Sequence, residues 1–170
     1  MKYKLAFDLD GVLRNLYPVV RRKFGLWSPN EYYEWDNKGY NIYDLVKKDY
    51  SILERAKPSK YVKVLQEHYY YSLKSILIWS YQPDDWILHS SIWLKKYFPS
   101  YKAEWLKPEE KYKELQKRKD IILIEDNPNF KNYDRIWLID QKYNKEVKCK
   151  VRIKTVEDLR EKIKEIENGI

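Results

Sequence analysis

The 170-residue sequence contains few of the residues that make disulfides, tight turns or membrane spans. Cys149 is its one cysteine, so no disulfide can form within the chain, and we expect the protein to reside in the reducing cytoplasm. No apolar run approaches the roughly 20 residues of a membrane-spanning helix, so we expect no membrane contact. Glycine occurs only four times, which makes the position of each glycine informative.

The abundant residues are apolar, aromatic and basic. Hydrophobic residues make up 44% of the chain, which is enough for a buried core, and they include 17 tyrosines and 7 tryptophans. The formal net charge of +8 favours anionic ligands such as nucleotides, nucleic acids or phosphorylated metabolites. Because the lysines are spread along the chain, most of them are expected on an ordinary solvated surface.

Short apolar segments alternate with helical patterns along the chain. Five segments are predicted to be strands buried on both faces: residues 3–7, 75–79, 102–106, 121–124 and 135–139. Helices are predicted after Ser59, after Asp84, from Pro108 and after Thr155, where Asp158 completes a capping box. This alternation predicts a Rossmann-like α/β fold with a five-stranded parallel sheet.

The alternation is interrupted once, between Asp10 and Pro58. This stretch is long, polar and aromatic, and we interpret it as an insertion at the end of the first strand. We predict an α/β core of residues 1–13 and 58–170, with a small, mainly helical cap at residues 14–57. We expect the aromatic side chains of the cap to form its own small core, or one or two of them to stack on a base of the substrate. These residues are Tyr32, Tyr33, Trp35, Tyr40 and Tyr43.

Polar residues follow three of the predicted strands. Asp8 and Asp10 come after the first, Ser80 after the second, and Glu125-Asp126 after the fourth. Ligands of open parallel sheets bind at the carboxyl ends of the strands, so these side chains are expected to converge. Carboxylates gathered in one place repel unless a cation lies among them, and oxygen ligands suit Mg²⁺.

The same residues indicate chemistry at a phosphate ester. Once a cation offsets the phosphate charge, Asp8 can attack phosphorus and form an aspartyl-phosphate. Asp10 can protonate the leaving oxygen and later take a proton from the hydrolytic water. Gly11 lets the backbone turn and present its amides to phosphate. Arg14, just beyond, is placed to meet an anionic or polar group.

These segments resemble the motifs of the haloacid dehalogenase (HAD) superfamily, which consists mostly of aspartate-based phosphatases. Residues 7–12, Phe-Asp-Leu-Asp-Gly-Val, resemble its first motif, and Ser80 resembles its second, a phosphate-binding serine or threonine. A lysine before the fourth strand and the acidic pair after it resemble the third and fourth. The resemblance spans most of the chain in the right order and implies the HAD fold.

A closer resemblance is to the 5′(3′)-deoxyribonucleotidase branch. Its members have a helical cap after the first motif and a segment like residues 93–99, Trp-Leu-Lys-Lys-Tyr-Phe-Pro. They also have an acidic pair followed closely by proline, as Glu125-Asp126-Asn127-Pro128 is here. The first acidic residue of that branch is commonly aspartate, so Glu125 departs from its pattern.

The resemblance implies roles for the polar residues. Asp8 and Asp126 would bind Mg²⁺ through their side chains and Asp10 through its backbone carbonyl, while Glu125 would support these ligands without touching the metal. Ser80 and Gly11 would bind phosphate together with a lysine. Lys107, which precedes Pro108, and Lys111 both match the third motif; the spacing of the nucleotidase-like branch favours Lys111.

The function predicted from the sequence is therefore a Mg²⁺-dependent phosphomonoester hydrolase. The cap and its aromatic residues favour the hypothesis of a 5′-nucleotidase or deoxyribonucleotidase that acts on nucleoside monophosphates. The basic charge favours an alternative, a phosphatase of nucleic-acid ends. A catalytically silent binding domain with the same fold is the third hypothesis, and the filled catalytic positions argue against it.

Overall fold

The structure is a computed structural model that describes residues 3–25, 36–37, 40–72, 76–130 and 133–169. Six parallel strands form its main sheet, and we number them in chain order. They are β1 (Lys4–Phe7), β2 (Ile76–Ser80), β3 (Tyr101–Trp105), β4 (Ile121–Glu125), β5 (Ile136–Ile139) and β6 (Val151–Ile153). The strand order is β6-β5-β4-β1-β2-β3, so β1 lies between β4 and β2. The predicted parallel α/β fold is confirmed, with one strand more than predicted.

The central strands consist of apolar runs because both of their faces are covered. Residues 5–7 of β1 are buried, as is every residue of β4 and β5. Ala6 pairs with Leu77 on one side and with Leu123 on the other, which fixes the register of the three central strands. The additional strand, β6, has only three residues and contains Arg152, so it lacks the apolar run by which the others were predicted.

Helices connect the strands at the predicted places. They are α1 (Leu16–Phe24), α2 (Ile42–Lys47), α3 (Ser51–Arg55), α4 (Val62–Ser72), α5 (Asp84–Tyr97), α6 (Pro108–Lys117) and α7 (Val156–Glu167). The predicted capping box of α7 is present, because the Asp158 amide donates to Thr155 Oγ1 and the Thr155 amide donates to Asp158 Oδ2. None of the helices in the described part of the chain is long and apolar enough to span a bilayer.

Helices α1, α2 and α3 lie in the predicted insertion and share one apolar cluster. The cluster includes Trp86 of α5, and its other members are Leu16, Val20, Ile42, Leu45, Val46, Ile52, Leu53 and Ala56. At the base of the insertion Arg14–Asn15 pairs with Lys57–Pro58 in two short antiparallel strands. The Trp93 indole of α5 donates a hydrogen bond to the Ala56 carbonyl at 2.7 Å. The insertion therefore packs against α5, beside the carboxyl end of β2.

Candidate active site

A cavity of about 220 Å³ opens at the carboxyl ends of β1, β2 and β4. Its wall contains every residue that the sequence predicted for the site, namely Asp8, Asp10, Gly11, Ser80, Lys111, Glu125 and Asp126. Residues of the insertion form another part of the wall: Leu16, Tyr17, Pro18, Ile42 and Tyr43. The parallel sheet thus brings together side chains that are more than 100 positions apart in the sequence.

The turn after β1 sets the positions of the first group of residues. The Asp8 amide donates to the Ile124 carbonyl of β4 at 2.9 Å, which continues the strand pairing to the aspartate itself. Gly11 then adopts a φ of +84°, a value that favours glycine. Its amide donates to the Arg14 carbonyl at 3.0 Å, so the turn returns Arg14 to the side of Asp10.

Gly11 is required for a second reason, the close approach of Asp126. A Cβ atom at position 11 would lie 2.6 Å from Asp126 Cγ and closer still to Asp126 Oδ2. No real side chain tolerates such contacts, so one of the two segments would have to move. The absence of a side chain at position 11 therefore allows the loops after β1 and β4 to meet.

Lys111 lies inside the site, whereas Lys107 lies on the surface. Lys111 Nζ donates to Asp8 Oδ1 at 2.6 Å and to Glu125 Oε2 at 2.7 Å, and its side chain is only 4% exposed. Lys107 is exposed and precedes the first turn of α6, where its amide donates to Glu110. Of the two lysines that the sequence left open, the structure brings Lys111 to the carboxylates.

Burial governs the electrostatics of this group. It raises the pKa of Asp8 from 3.8 to about 7, and the nearby Glu125 charge adds to the rise while Lys111 opposes it. The pKa of Asp126 is also raised well above its ordinary value, first by burial and then by the charges of Glu125 and Asp8. Burial lowers the pKa of Lys111, but Asp8 and Glu125 outweigh it and the net direction is upward. Three buried carboxyl groups thus lie around one lysine, which is paired with two of them.

The two carboxylates after β4 have different surroundings. Glu125 Oε1 accepts hydrogen bonds from the amides of Asp126 and Asn127, and Glu125 Oε2 accepts one from Lys111. Asp126 Oδ2 accepts a hydrogen bond from the Tyr143 hydroxyl. Glu125 is therefore held by its neighbours at both of its oxygens.

The arrangement suits a hard divalent cation. Asp8, Glu125 and Asp126 are all buried, and each offers an oxygen such that the three oxygens lie within 4.8 Å of one another. Oxygen-only donors and excess negative charge are the features that Mg²⁺ prefers. The carboxylate of Asp10 is outside this group because it faces Arg14 instead.

Several residues around the site were not predicted. Gln82 Nε2 donates to Asp10 Oδ2 at 2.9 Å and to Ser80 Oγ at 3.3 Å, and thereby links two predicted site residues. Gln141 donates to the Gly11 carbonyl, and Asn144 to the Asp126 carbonyl, both at 2.8 Å. Gln141 and Asn144 follow β5 and Gln82 follows β2, so the rule that ligands gather at the carboxyl ends of parallel strands could have found all three.

Aromatic rings surround the outer part of the cavity. Tyr43 of the insertion lies with its ring centroid 5.2 Å from that of Trp86. Burial, followed by the proximity of Tyr81 and of Asp10, raises the Tyr43 pKa to about 12, so its hydroxyl stays protonated at neutral pH. Tyr81 is 41% exposed at the cavity mouth. Tyr32, Tyr33, Trp35 and the side chain of Tyr40 lie outside the described residues.

Comparison with known proteins identifies the fold. Neither a protein-family model nor a curated protein matches the sequence. Among solved structures, a HAD family hydrolase from Deinococcus radiodurans R1 with bound phosphate and sodium matches with a TM-score of 0.63 and 11% identity, over 98% of this chain and 97% of that chain. A predicted phosphatase from Clostridium acetobutylicum matches with a TM-score of 0.58 and 14% identity, over 97% and 99%.

A third match is CbbY from Rhodobacter sphaeroides in complex with xylulose-(1,5)bisphosphate, with a TM-score of 0.56 and 10% identity over 92% of this chain and 95% of that chain. Identities of this size show a shared fold and no more. The chain thus has the α/β fold of haloacid dehalogenase family hydrolases and phosphatases, as its sequence motifs predicted. The resemblance to the nucleotidase-like branch stays a prediction.

Proposed function

We propose that this chain is a phosphomonoester hydrolase that forms an aspartyl-phosphate on Asp8. The observation that carries the proposal is the convergence of Asp8, Lys111 and Ser80 with Asp10 and Asp126 in one cavity at the end of the sheet. Asp8 supplies the attacking oxygen, and Lys111 and Ser80 bind the phosphate oxygens. A catalytically silent domain would have no need for a buried lysine held between two buried carboxylates.

The proposed reaction has two steps. An Asp8 oxygen bonds to phosphorus, the bond from phosphorus to the leaving oxygen breaks, and its electron pair stays on the leaving oxygen, which takes the proton of Asp10. Water then attacks the phosphorus of the aspartyl-phosphate and gives a proton to Asp10. Inorganic phosphate leaves, and the Asp8 carboxylate is restored.

Asp8 and Asp126 would hold Mg²⁺ through their side chains, and the backbone carbonyl of Asp10 would complete the protein ligands. The metal would offset phosphate charge during the attack. Glu125 is already bonded to Lys111 and to two backbone amides, which suits a residue that keeps Lys111 and the loop after β4 in place.

We further propose that the substrate is a nucleoside monophosphate and that residues 14–57 act as a cap over the site. The support is the cavity wall, to which the insertion contributes Tyr17 and Tyr43 and the core contributes Tyr81 and Trp86. Flat rings suit a base, and stacking on an aromatic side chain contributes about 1–3 kcal/mol per base.

The alternative substrate is the phosphorylated end of a nucleic acid, which the net charge of +8 favours. Lys111 and Arg14 are the cations in the described part of the cavity wall, and both are already paired with carboxylates. This argues against a strand of several phosphates in the cavity and for a single one.

The test is a comparison of kcat/KM, with Mg²⁺, for a deoxynucleoside monophosphate, a sugar phosphate and a 5′-phosphorylated oligonucleotide. We expect the mononucleotide to be preferred. Tyr81→Ala should lower its kcat/KM about 10-fold, in line with the loss of one stacking contact, and should leave the sugar phosphate unchanged. A preference for the oligonucleotide that disappears as salt is added would establish the alternative instead.

A further inference from the structure

We propose that Arg14 is a positioning residue that fixes the carboxyl group of Asp10 for proton transfer to the leaving oxygen. The inference rests on the proposed function and adds to it a residue that acts through Asp10 and not on the substrate. Its basis is a buried network of Arg14, Asp10, Gln82 and Ser90 beside the cavity.

Arg14 is fully buried, and all five of its N–H donors have partners. Nε donates to Asp10 Oδ1 at 2.7 Å, and Nη2 donates to Asp10 Oδ2 at 2.8 Å and to Gln82 Oε1 at 3.1 Å. Nη1 donates to Ser90 Oγ at 3.1 Å and to the Leu53 carbonyl at 3.4 Å. The guanidinium has therefore no donor left for a phosphate group.

The contact with Asp10 is a two-point fork. A planar guanidinium bonded to both carboxylate oxygens fixes the plane of the carboxylate as well as its position, which a lysine cannot do. Gln82 Nε2 adds a third donor at Asp10 Oδ2, 2.9 Å away. Asp10 Oδ2 thus accepts two hydrogen bonds and Asp10 Oδ1 one, which leaves Oδ1 with a lone pair that can carry the proton.

The fork is itself anchored to two helices and, through Gln82, to the loop after β2. Ser90 belongs to α5 and Leu53 to α3, and the Ser90 hydroxyl also donates to Gln82 Oε1 at 2.8 Å. Because these anchors lie on packed helices, Arg14 has one available position. A buried ion pair contributes little net stability, since the cost of desolvation offsets the attraction. Orientation of Asp10 is therefore the main physical consequence of the pair.

In the first step of the reaction, the orientation of Asp10 matters only for a leaving group that needs a proton. An alkoxide, such as the sugar oxygen of a nucleotide, leaves with the electron pair of the broken P–O bond and takes the Asp10 proton. A nitrophenolate carries its charge without one. The second step, in which water gives a proton to Asp10, is the same for both substrates. Loss of the fork should therefore lower kcat/KM, which reports the first step, selectively for alkyl phosphates, whereas a general loss of structure or of phosphate binding lowers kcat/KM for both substrates.

The experiment compares Arg14→Met and Arg14→Lys with the wild type on a nucleoside monophosphate and on 4-nitrophenyl phosphate. We expect kcat/KM for the nucleotide to fall about 100-fold in Arg14→Met, as for impaired general acid help, with little loss of kcat/KM on the aryl ester. Arg14→Lys should be intermediate. In the Asp10→Asn background, Arg14→Met should add no further loss.

Arg118→Met is the matched control, because Arg118 makes a two-point pair with Glu104, at 2.8 Å to each oxygen, outside the cavity wall. It should leave both rates unchanged. An equal loss of kcat/KM on both substrates in Arg14→Lys and Arg14→Met would overturn the inference while the proposed function stands. Aryl phosphate hydrolysis that survives in Asp8→Asn would overturn the proposed function itself.

Discussion

Replacement of Gly11 by alanine should damage the site more than it damages the fold. The substitution has two separate effects, which the structure allows us to weigh. An alanine at a φ of +84° is strained by about 1–2 kcal/mol. In addition, its Cβ would overlap the carboxylate of Asp126, which would have to move by well over an ångström to restore ordinary contacts. A displacement of about 1 Å in an active site can reduce the rate about 100-fold.

Gly25→Ala is a matched control for the first of these effects. Gly25 ends α1 with a φ of +63°, but a Cβ there would meet no atom within 4 Å. Both variants should therefore lose a similar free energy of unfolding from backbone strain. Only Gly11→Ala should also lose kcat/KM, about 100-fold, and affinity for Mg²⁺.

The assay combines urea unfolding with phosphatase rates and with calorimetric titration of Mg²⁺. If Gly11→Ala kept the activity and Mg²⁺ affinity of Gly25→Ala, the close packing of the loops after β1 and β4 would not matter for function. The reasoning that Asp126 is placed by the absence of a side chain at position 11 would then be refuted.

Two further predictions concern the buried charges. Lys111→Met should lower kcat/KM by about 100-fold or more because a buried cation is lost from the phosphate site. Lys107→Met removes an exposed lysine and should have little effect on kcat/KM. The reverse result would move the phosphate-binding role to Lys107. Asp8 has a pKa of about 7 in the folded protein and 3.8 ordinarily, so at pH values between the two the folded state keeps Asp8 protonated and the unfolded state does not. The free energy of unfolding of the metal-free protein should therefore fall as the pH rises from about 4 to about 7. Urea unfolding in EDTA should show this slope and Asp8→Asn should reduce it; an unchanged slope in that variant would exclude Asp8 as its source.

The features that were predicted from the sequence depend on patterns of residues that are close together in the chain. Four of the six strands are largely apolar runs, in β3 Tyr101, Ala103 and Trp105 alternate with charged residues, and the capping box of α7 is a local motif. The sixth strand was missed because Arg152 lies at its centre. Its guanidinium is held at the sheet edge by Asp140, at 2.8 Å, and by the carbonyls of Asn144 and Val147. A strand stabilised by such polar contacts carries no hydrophobic signal.

The lysine ambiguity shows what helix geometry adds to spacing. Lys111 and Leu115 are four residues apart, so they lie on the same face of α6, and both are buried. Lys107 precedes the first turn and is exposed. Periodicity alone does not separate the two lysines, because Lys107 is also four residues from Lys111. They differ because α6 begins at Pro108, which leaves Lys107 before the helix in an extended conformation.

The network around Arg14 could not be predicted in the same way. Arg14 reaches Gln82 and Ser90, which are 68 and 76 positions away, and only the packing of α5 against the insertion brings them together. The sequence placed Arg14 near an anionic or polar group, and the structure shows that this group is Asp10. Local pattern gives no information on contacts of this range.

The central claim, that Asp8 is the nucleophile, can be tested by trapping the intermediate. The protein would be mixed with Mg²⁺ and its preferred phosphate ester, quenched in acid during turnover, and digested for mass spectrometry. Borohydride reduction of the acyl phosphate would mark the modified aspartate. We expect phosphate on Asp8 in the wild type and none in Asp8→Asn. Turnover with phosphate on another residue, or full activity in Asp8→Asn, would contradict it.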